Sequence, residues 1–281
     1  MTTIIRHLLA GCALGAMAAA PAFGASIEFK DPTGDDKGPG NYVYPTDAVY
    51  APGSFDITSF EVTPKGKNVE FKVCVNSKLD DPWGMGVGFA VQMVIVFINT
   101  GALDAGQTNG LPGLNIQFGP ESTWNRAVIL SPQQQSRVTA EAKMKAPFEV
   151  ESGALLVPRK TLGKGKCISG RVPIEDLATV DASGMQDPFA WSYQVVMQSN
   201  EGFPDKSDLL TRKVNEYEGQ HRFGGGNDMN CDPHVMDLLA PPAQGTEAEI
   251  QAQYDMLAYK CDADGNPVEM ATLQMINATG E

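Results

Sequence analysis

The chain has 281 residues, 42% of them hydrophobic, and a formal net charge of −13. That apolar content supports a packed core and excludes a wholly disordered chain. The acidity argues against nucleic acid or an anionic membrane surface as the main partner, since both require a basic face.

Residues 1–24 read as a secretory signal peptide, with Arg6 near the start, an apolar run over 8–20 and the small residues Ala22 and Gly24 before the cut. The "LAGC" at 9–12 imitates a lipoprotein cleavage box, but too few residues precede it and the apolar run continues past Cys12. Ordinary export is therefore expected. Beyond residue 24 no apolar run approaches the about 20 residues of a membrane helix. A periplasmic or extracellular protein without a transmembrane span follows. Export makes the remaining Cys74, Cys167, Cys231 and Cys261 disulfide candidates. Four cysteines permit three connectivities; the expected bridges are Cys74–Cys167 within the main domain and Cys231–Cys261 clamping the C-terminal tail.

From about residue 26 to 240 the pattern is all-β. Residues 55–75 hold two period-2 runs around a Pro-Lys-Gly-Lys turn, a hairpin signal, with Val69, Phe71, Val73 and Val75 sharing one face. "GFAVQMVIVFINT" (88–100) is nearly unbroken in its apolarity, as a strand buried on both faces would be. Further strands are expected at 114–118, 126–131, 148–152, 154–158, 167–174 and 189–199, with one helical turn at 174–177. Short strands between Gly, Pro, Asn and Asp clusters indicate a sandwich. The tail, 241–281, reads as an extension with one helix. Thr246 and Glu249 have capping-box spacing, and Ile250, Tyr254, Leu257 and Cys261 recur at helical intervals. Residues 267–276 could return as a last strand.

Asp31, Asp35 and Asp36 around Gly34 offer several carboxylate oxygens on a sharply turning loop, the donor type that calcium takes. The same residues commonly cap turns with their side chains. "GGGNDMNCDPHVMD" (224–237) lacks the setting of a phosphate loop, and His221 and His234 lack a zinc motif. Neither a G-x-S-x-G elbow nor a dinucleotide fingerprint is present, so a non-enzymatic role is expected. Trp83, Trp124 and Trp191, with Tyr193, are candidates for stacking on sugars, against the alternative of core packing. Met85, Met93, Met197 and Met229 are the methionines considered as thioether ligands to haem iron.

Four stretches, 31–62, 81–100, 110–132 and 221–239, together resemble the C-terminal module of glucodextranase, a DOMON-like β-sandwich. The resemblance covers about 31–240 and implies an immunoglobulin-like/DOMON-like fold in which 224–239 is a loop leading into a closing strand. It implies a module that binds carbohydrate or a cell-envelope component, with calcium dependence suggested by the acidic loop. Related DOMON-like modules bind b-type haem, so a haem-binding electron-transfer subunit serving a periplasmic redox enzyme is the alternative. No haem ligand matches residue by residue.

Overall fold

The computed structural model describes residues 25–101, 106–178, 187–228 and 231–278; the expected signal peptide lies outside them. In chain order come β1 (Ile27–Lys30), β2 (Ile57–Lys65), β3 (Asn68–Val75), β4 (Gln92–Asn99), β5 (Ile116–Phe118) and β6 (Arg126–Leu130). Helices α1 (Gln135–Lys145) and α2 (Pro147–Glu151) precede β7 (Leu155–Leu156), β8 (Thr161–Lys164) and β9 (Cys167–Pro173). After α3 (Ile174–Leu177) follow β10 (Ser192–Ser199) and β11 (Asp237–Leu238). The tail holds α4 (Thr246–Met256), β12 (Lys260–Cys261), β13 (Pro267–Glu269), β14 (Ala271–Leu273) and β15 (Ile276–Asn277).

Two sheets form the sandwich. The first runs β1-β2-β3-β9-β8 and the second β11-β10-β4-β6-β7, with β15 also paired to β10. In β3 alternation places Val69, Phe71, Val73 and Val75 inward, and outward Glu70 and Lys72 reach Arg171 and Glu61. Strand β4 behaves differently. Val94, Val96 and Ile98 enter the core between the sheets, and Met93, Ile95 and Phe97 enter a second core on the outer side. Its apolar run is continuous because both of its faces are covered.

The second core is closed by segments that the sequence pattern describes less well. Helix α1 contributes only Val138 and Ala142 as buried residues, too narrow an apolar stripe to stand out in an otherwise polar stretch. Residues 148–152, expected as a strand, lie in and at the end of α2; Pro147 occupies the first turn, where its fixed φ and missing N–H suit a helix. The capping box at 246–249 does not form. Gly245 is the N-cap, Thr246 is already helical, and Glu249 Oε1 accepts from the Ala243 N–H at 3.3 Å. The buried side of α4 is Gln253, Met256 and Leu257, rotated from the expected stripe because the Gln253 amide is held in the interior. The expected last strand is broken into pieces: β14 runs parallel to β5, and β15 pairs with β10. The tail is thus part of the same fold.

Cys74 and Cys167 face each other across β3 and β9 and are bonded. Cys231 is bonded to Cys261, tying the loop before β11 to the strand after α4. The bridges span 93 and 30 residues of sequence respectively. Closing such loops restricts the unfolded chain, with a typical effect of about 2–5 kcal/mol per bridge. Replacing Cys231 and Cys261 together by Ser should therefore lower the unfolding free energy by about 2–4 kcal/mol, measured by urea denaturation; an unchanged midpoint would exclude a stabilising role for that bridge.

Candidate metal centre and aromatic corner

Three carboxylates, Asp31, Asp35 and Asp237, come together so that one oxygen of each lies within 4.8 Å of the others, and all three residues are buried. They arrive from separate places. Asp31 follows β1, Asp35 lies on the turn after it, and Asp237 opens β11 at the edge of the other sheet. Asp56, immediately before β2, stands behind them and fixes the turn by accepting from the Gly34 N–H at 3.0 Å and from Asn76 Nδ2 at 3.1 Å.

Backbone donors satisfy part of this charge. Asp31 Oδ1 accepts from the Ala240 N–H at 3.1 Å, and Asp237 accepts from the N–H groups of Ile57 at 2.6 Å and Leu238 at 2.8 Å. Asp31 Oδ2, both oxygens of Asp35 and Asp56 Oδ1 accept no hydrogen bond from the protein. Helix α4 reaches the same place, where Gln253 donates to the Asp35 carbonyl at 2.5 Å and accepts from the Leu238 N–H at 3.1 Å. Burial, reinforced by the neighbouring carboxylates, raises Asp31 and Asp237 well above the usual carboxylate range. The same causes lift Asp35 to about 7 and Asp56 to about 6.

Asp36, grouped with Asp31 and Asp35 by proximity in sequence, does not join the cluster. The Tyr44 hydroxyl donates to its carboxylate instead, and Asp237 takes the third position. Asp237 is 206 residues from Asp31 in sequence, so no local spacing could connect them. The available signal was an acid inside the apolar run Val235, Met236, Leu238, Leu239, where an ionised group is costly unless it has a partner.

The aromatic candidates divide. Trp124 and Trp191 are each 1% exposed and Tyr193 is fully buried. Trp124 packs on Phe97 with centroids 5.1 Å apart and donates to the Asn109 carbonyl. Tyr193 packs edge-on against Phe29 and Phe60 and donates to the Pro188 carbonyl. The expectation that these three offer a stacking surface is corrected by their burial: their ring area is used in the cores, and the polar atoms of Trp124 and Tyr193 are bonded there. Trp83 is 40% exposed. It stands beside Tyr50 and His221 at centroid distances of 6.4 Å.

Of the methionines considered for haem, Met93 and Met197 are fully buried and project into opposite cores. They cannot flank one cofactor. Met229 lies outside the described residues. The haem reading and its redox-enzyme partner therefore gain nothing from the packing.

Of the "GGGNDMNCDPHVMD" stretch, Asp237 belongs to the carboxylate cluster. Gly225 has φ 88° and its Cα faces the Asn41 carbonyl so closely that a Cβ would collide with it. His234 Nδ1 accepts from the Val214 N–H at 3.1 Å, which makes it neutral with the proton on Nε2; burial pushes its pKa down to about 3.

Residues 27–275 match the family described as the C-terminal, SLH-like binding module of glucodextranase, and the chain belongs to that family. No curated protein matches the chain. The family is one of binding modules, which fits a non-enzymatic role. The two disulfides fit an exported protein. No helix among the described residues is long and apolar enough to cross a membrane.

A carboxylate whose folded pKa is raised above its unfolded value near 3.9 stabilises below that value and loses the contribution as pH rises through the folded pKa. His234 acts in the opposite sense, its contribution being complete only above about pH 6.5. In chelator, the thermal midpoint should therefore fall between about pH 6 and 8 as Asp35 ionises near 7. Asp35→Asn should flatten that fall. A midpoint that rises over this interval would contradict the electrostatic reading of the cluster.

Proposed function

We propose that this member of the glucodextranase C-terminal module family is an exported, non-catalytic module that binds carbohydrate or another cell-envelope polymer and takes up calcium at Asp31, Asp35 and Asp237. The observation that carries the calcium reading is a buried carboxylate trio in which Asp31 Oδ2 and both Asp35 oxygens accept no hydrogen bond from the protein. Charges so close together and removed from water repel strongly, and a divalent cation relieves both the repulsion and the lost solvation. An all-oxygen, carboxylate-rich donor set suits a hard cation rather than zinc or copper.

The cation would act as a structural clasp. It would join the β1–β2 connection of one sheet to the β11 edge of the other, and to α4 through Gln253. Aromatic packing continues from this clasp to the exposed corner. Tyr44, bonded to Asp36, packs against Phe55 and Phe223, and both of these contact Tyr50 beneath Trp83. Loosening residues 31–56 would therefore disturb the support of the corner, which gives calcium-dependent polymer binding a physical route.

The carbohydrate reading draws on the family being a binding module of a polysaccharide-degrading enzyme and on Trp83, an exposed tryptophan held in place by packing. Calcium at a hundredfold over its dissociation constant should stabilise the protein by about 2.7 kcal/mol, seen as a rise in thermal midpoint. Asp35→Asn and Asp237→Asn should lose that rise, and chelation should reduce retention on insoluble polysaccharide. A thermal midpoint indifferent to millimolar calcium and to chelator at pH 7.5 would refute the calcium reading. Failure to retain any polysaccharide or envelope preparation would refute the binding reading.

A further inference from the structure

The exposed corner around Trp83 adjoins a cleft of about 440 Å³, and His221 belongs to both. Three rings meet at this corner. Trp83, Tyr50 and His221 lie 5.9–6.4 Å apart by centroid, with the Trp83 ring plane at 73° and 74° to the other two. Such crossed contacts hold the indole without covering it by a parallel ring. The loop carrying it is tied by Asp81, whose carboxylate accepts from the N–H groups of Met85 and Gly86, each at 2.7 Å. Gly88, at φ 85°, then passes so close to the Gly163 carbonyl that no side chain fits, and the Gly163 N–H donates to the Val87 carbonyl at 2.7 Å. An aromatic ring is thus presented at the surface by a loop built to be rigid.

Beneath it, Tyr50 is 3% exposed and its hydroxyl has no hydrogen-bond partner in the protein. Buried hydroxyls rarely stay unpaired without a solvent or ligand partner. The surrounding polar groups supply donors and acceptors together. Arg212 pairs with Glu201 at 2.9 Å and donates to the His221 carbonyl at 2.8 Å, while Asp47 accepts from Gln220 at 3.0 Å and lies 3.9 Å from His221 Nε2. Farther along the cleft Lys213 pairs with Asp205 at 2.8 Å. Cations offset in this way give a polyanion little to gain, whereas hydroxyl groups can both accept from the guanidinium and donate to the carboxylates. A larger groove of about 710 Å³ along β8 and β9 lacks an aromatic lining residue, so it offers no surface on which a pyranose ring can stack.

We infer that the corner of Trp83, Tyr50 and His221, with the adjoining Arg212–Glu201 cleft, is the binding site for a neutral saccharide, Trp83 stacking on the apolar face of a pyranose ring and the cleft hydrogen-bonding its hydroxyls. The assignment rests on the carbohydrate-binding reading above and places its site.

Because Trp124 and Trp191 are buried, Trp83 should dominate any ligand-induced change in tryptophan emission. The test titrates the full chain, in calcium, with neutral malto-, isomalto-, cello- and β-1,3-gluco-oligosaccharides and with oligogalacturonate as an anionic comparison. Calorimetry and fluorescence are read in parallel. Expected is saturable binding of at least one neutral series, weakened at least tenfold by Trp83→Ala, several-fold by His221→Ala and less by Trp83→Phe. Circular dichroism and thermal midpoint should match the unsubstituted protein; if Trp83→Ala fails to fold, His221→Ala and Trp83→Phe decide. Neutral binding that survives within twofold in folded Trp83→Ala, or in His221→Ala if Trp83→Ala does not fold, would overturn the site and leave the carbohydrate reading standing. Tighter binding of the anionic series would overturn the neutral class. No calorimetric binding by the unsubstituted protein to any series would overturn both this site and the carbohydrate reading on which it rests.

Discussion

Burial of β4 on both faces is the constraint from which the architecture follows. Its side chains alternate between two cores, and a sheet with two apolar faces must be covered twice. The five-stranded sheet covers one side. Among the described residues no second sheet of comparable size covers the other, and helices α1 and α4, β5 and the returning β14 are assembled there from distant parts of the chain. The C-terminal tail is therefore a structural necessity of the second core: Leu257, Ala271 and Leu273 are wholly buried in it.

The same closure creates the acidic cluster. Once β11 pairs at the edge of β10 and α4 lies over it, Asp237 is buried against the turn after β1. Backbone N–H groups from Ile57, Leu238 and Ala240 converge on the carboxylates, and these bonds hold the seam in register. They do not exhaust the acceptor capacity, and the remaining charge is what makes the seam sensitive to protons and cations. A fold closed by tertiary contacts between segments far apart in the chain thus carries, at that point of closure, a cluster of buried carboxylates.

Two kinds of aromatic residue follow from where a ring sits relative to the cores. Rings on β10 and ahead of β6 are used up in packing, with their polar atoms bonded to backbone carbonyls. The ring on the 81–88 loop is lifted clear of the core by a turn tied to Asp81. Between the acidic seam and that loop, Tyr44, Phe55, Phe223 and Tyr50 form one packed series, so the two regions share their mechanical support.

Sequence by itself determined the strands whose side chains alternate, the two-faced burial of β4, the helical turn at 174–177 and the family, because each depends on periodicity or on ordered local blocks. It named Asp31 and Asp35 through their shared turn, and it named Trp83, the exposed one, among three tryptophans without a means to rank them by exposure. Tertiary structure alone decided that Asp237, and not Asp36, completes the carboxylate trio, that Trp124, Trp191 and Tyr193 lie inside, and that a mostly polar segment becomes α1. Exposure and charge proximity are properties of packing between segments far apart in the chain; neither is encoded in the spacing of neighbouring residues.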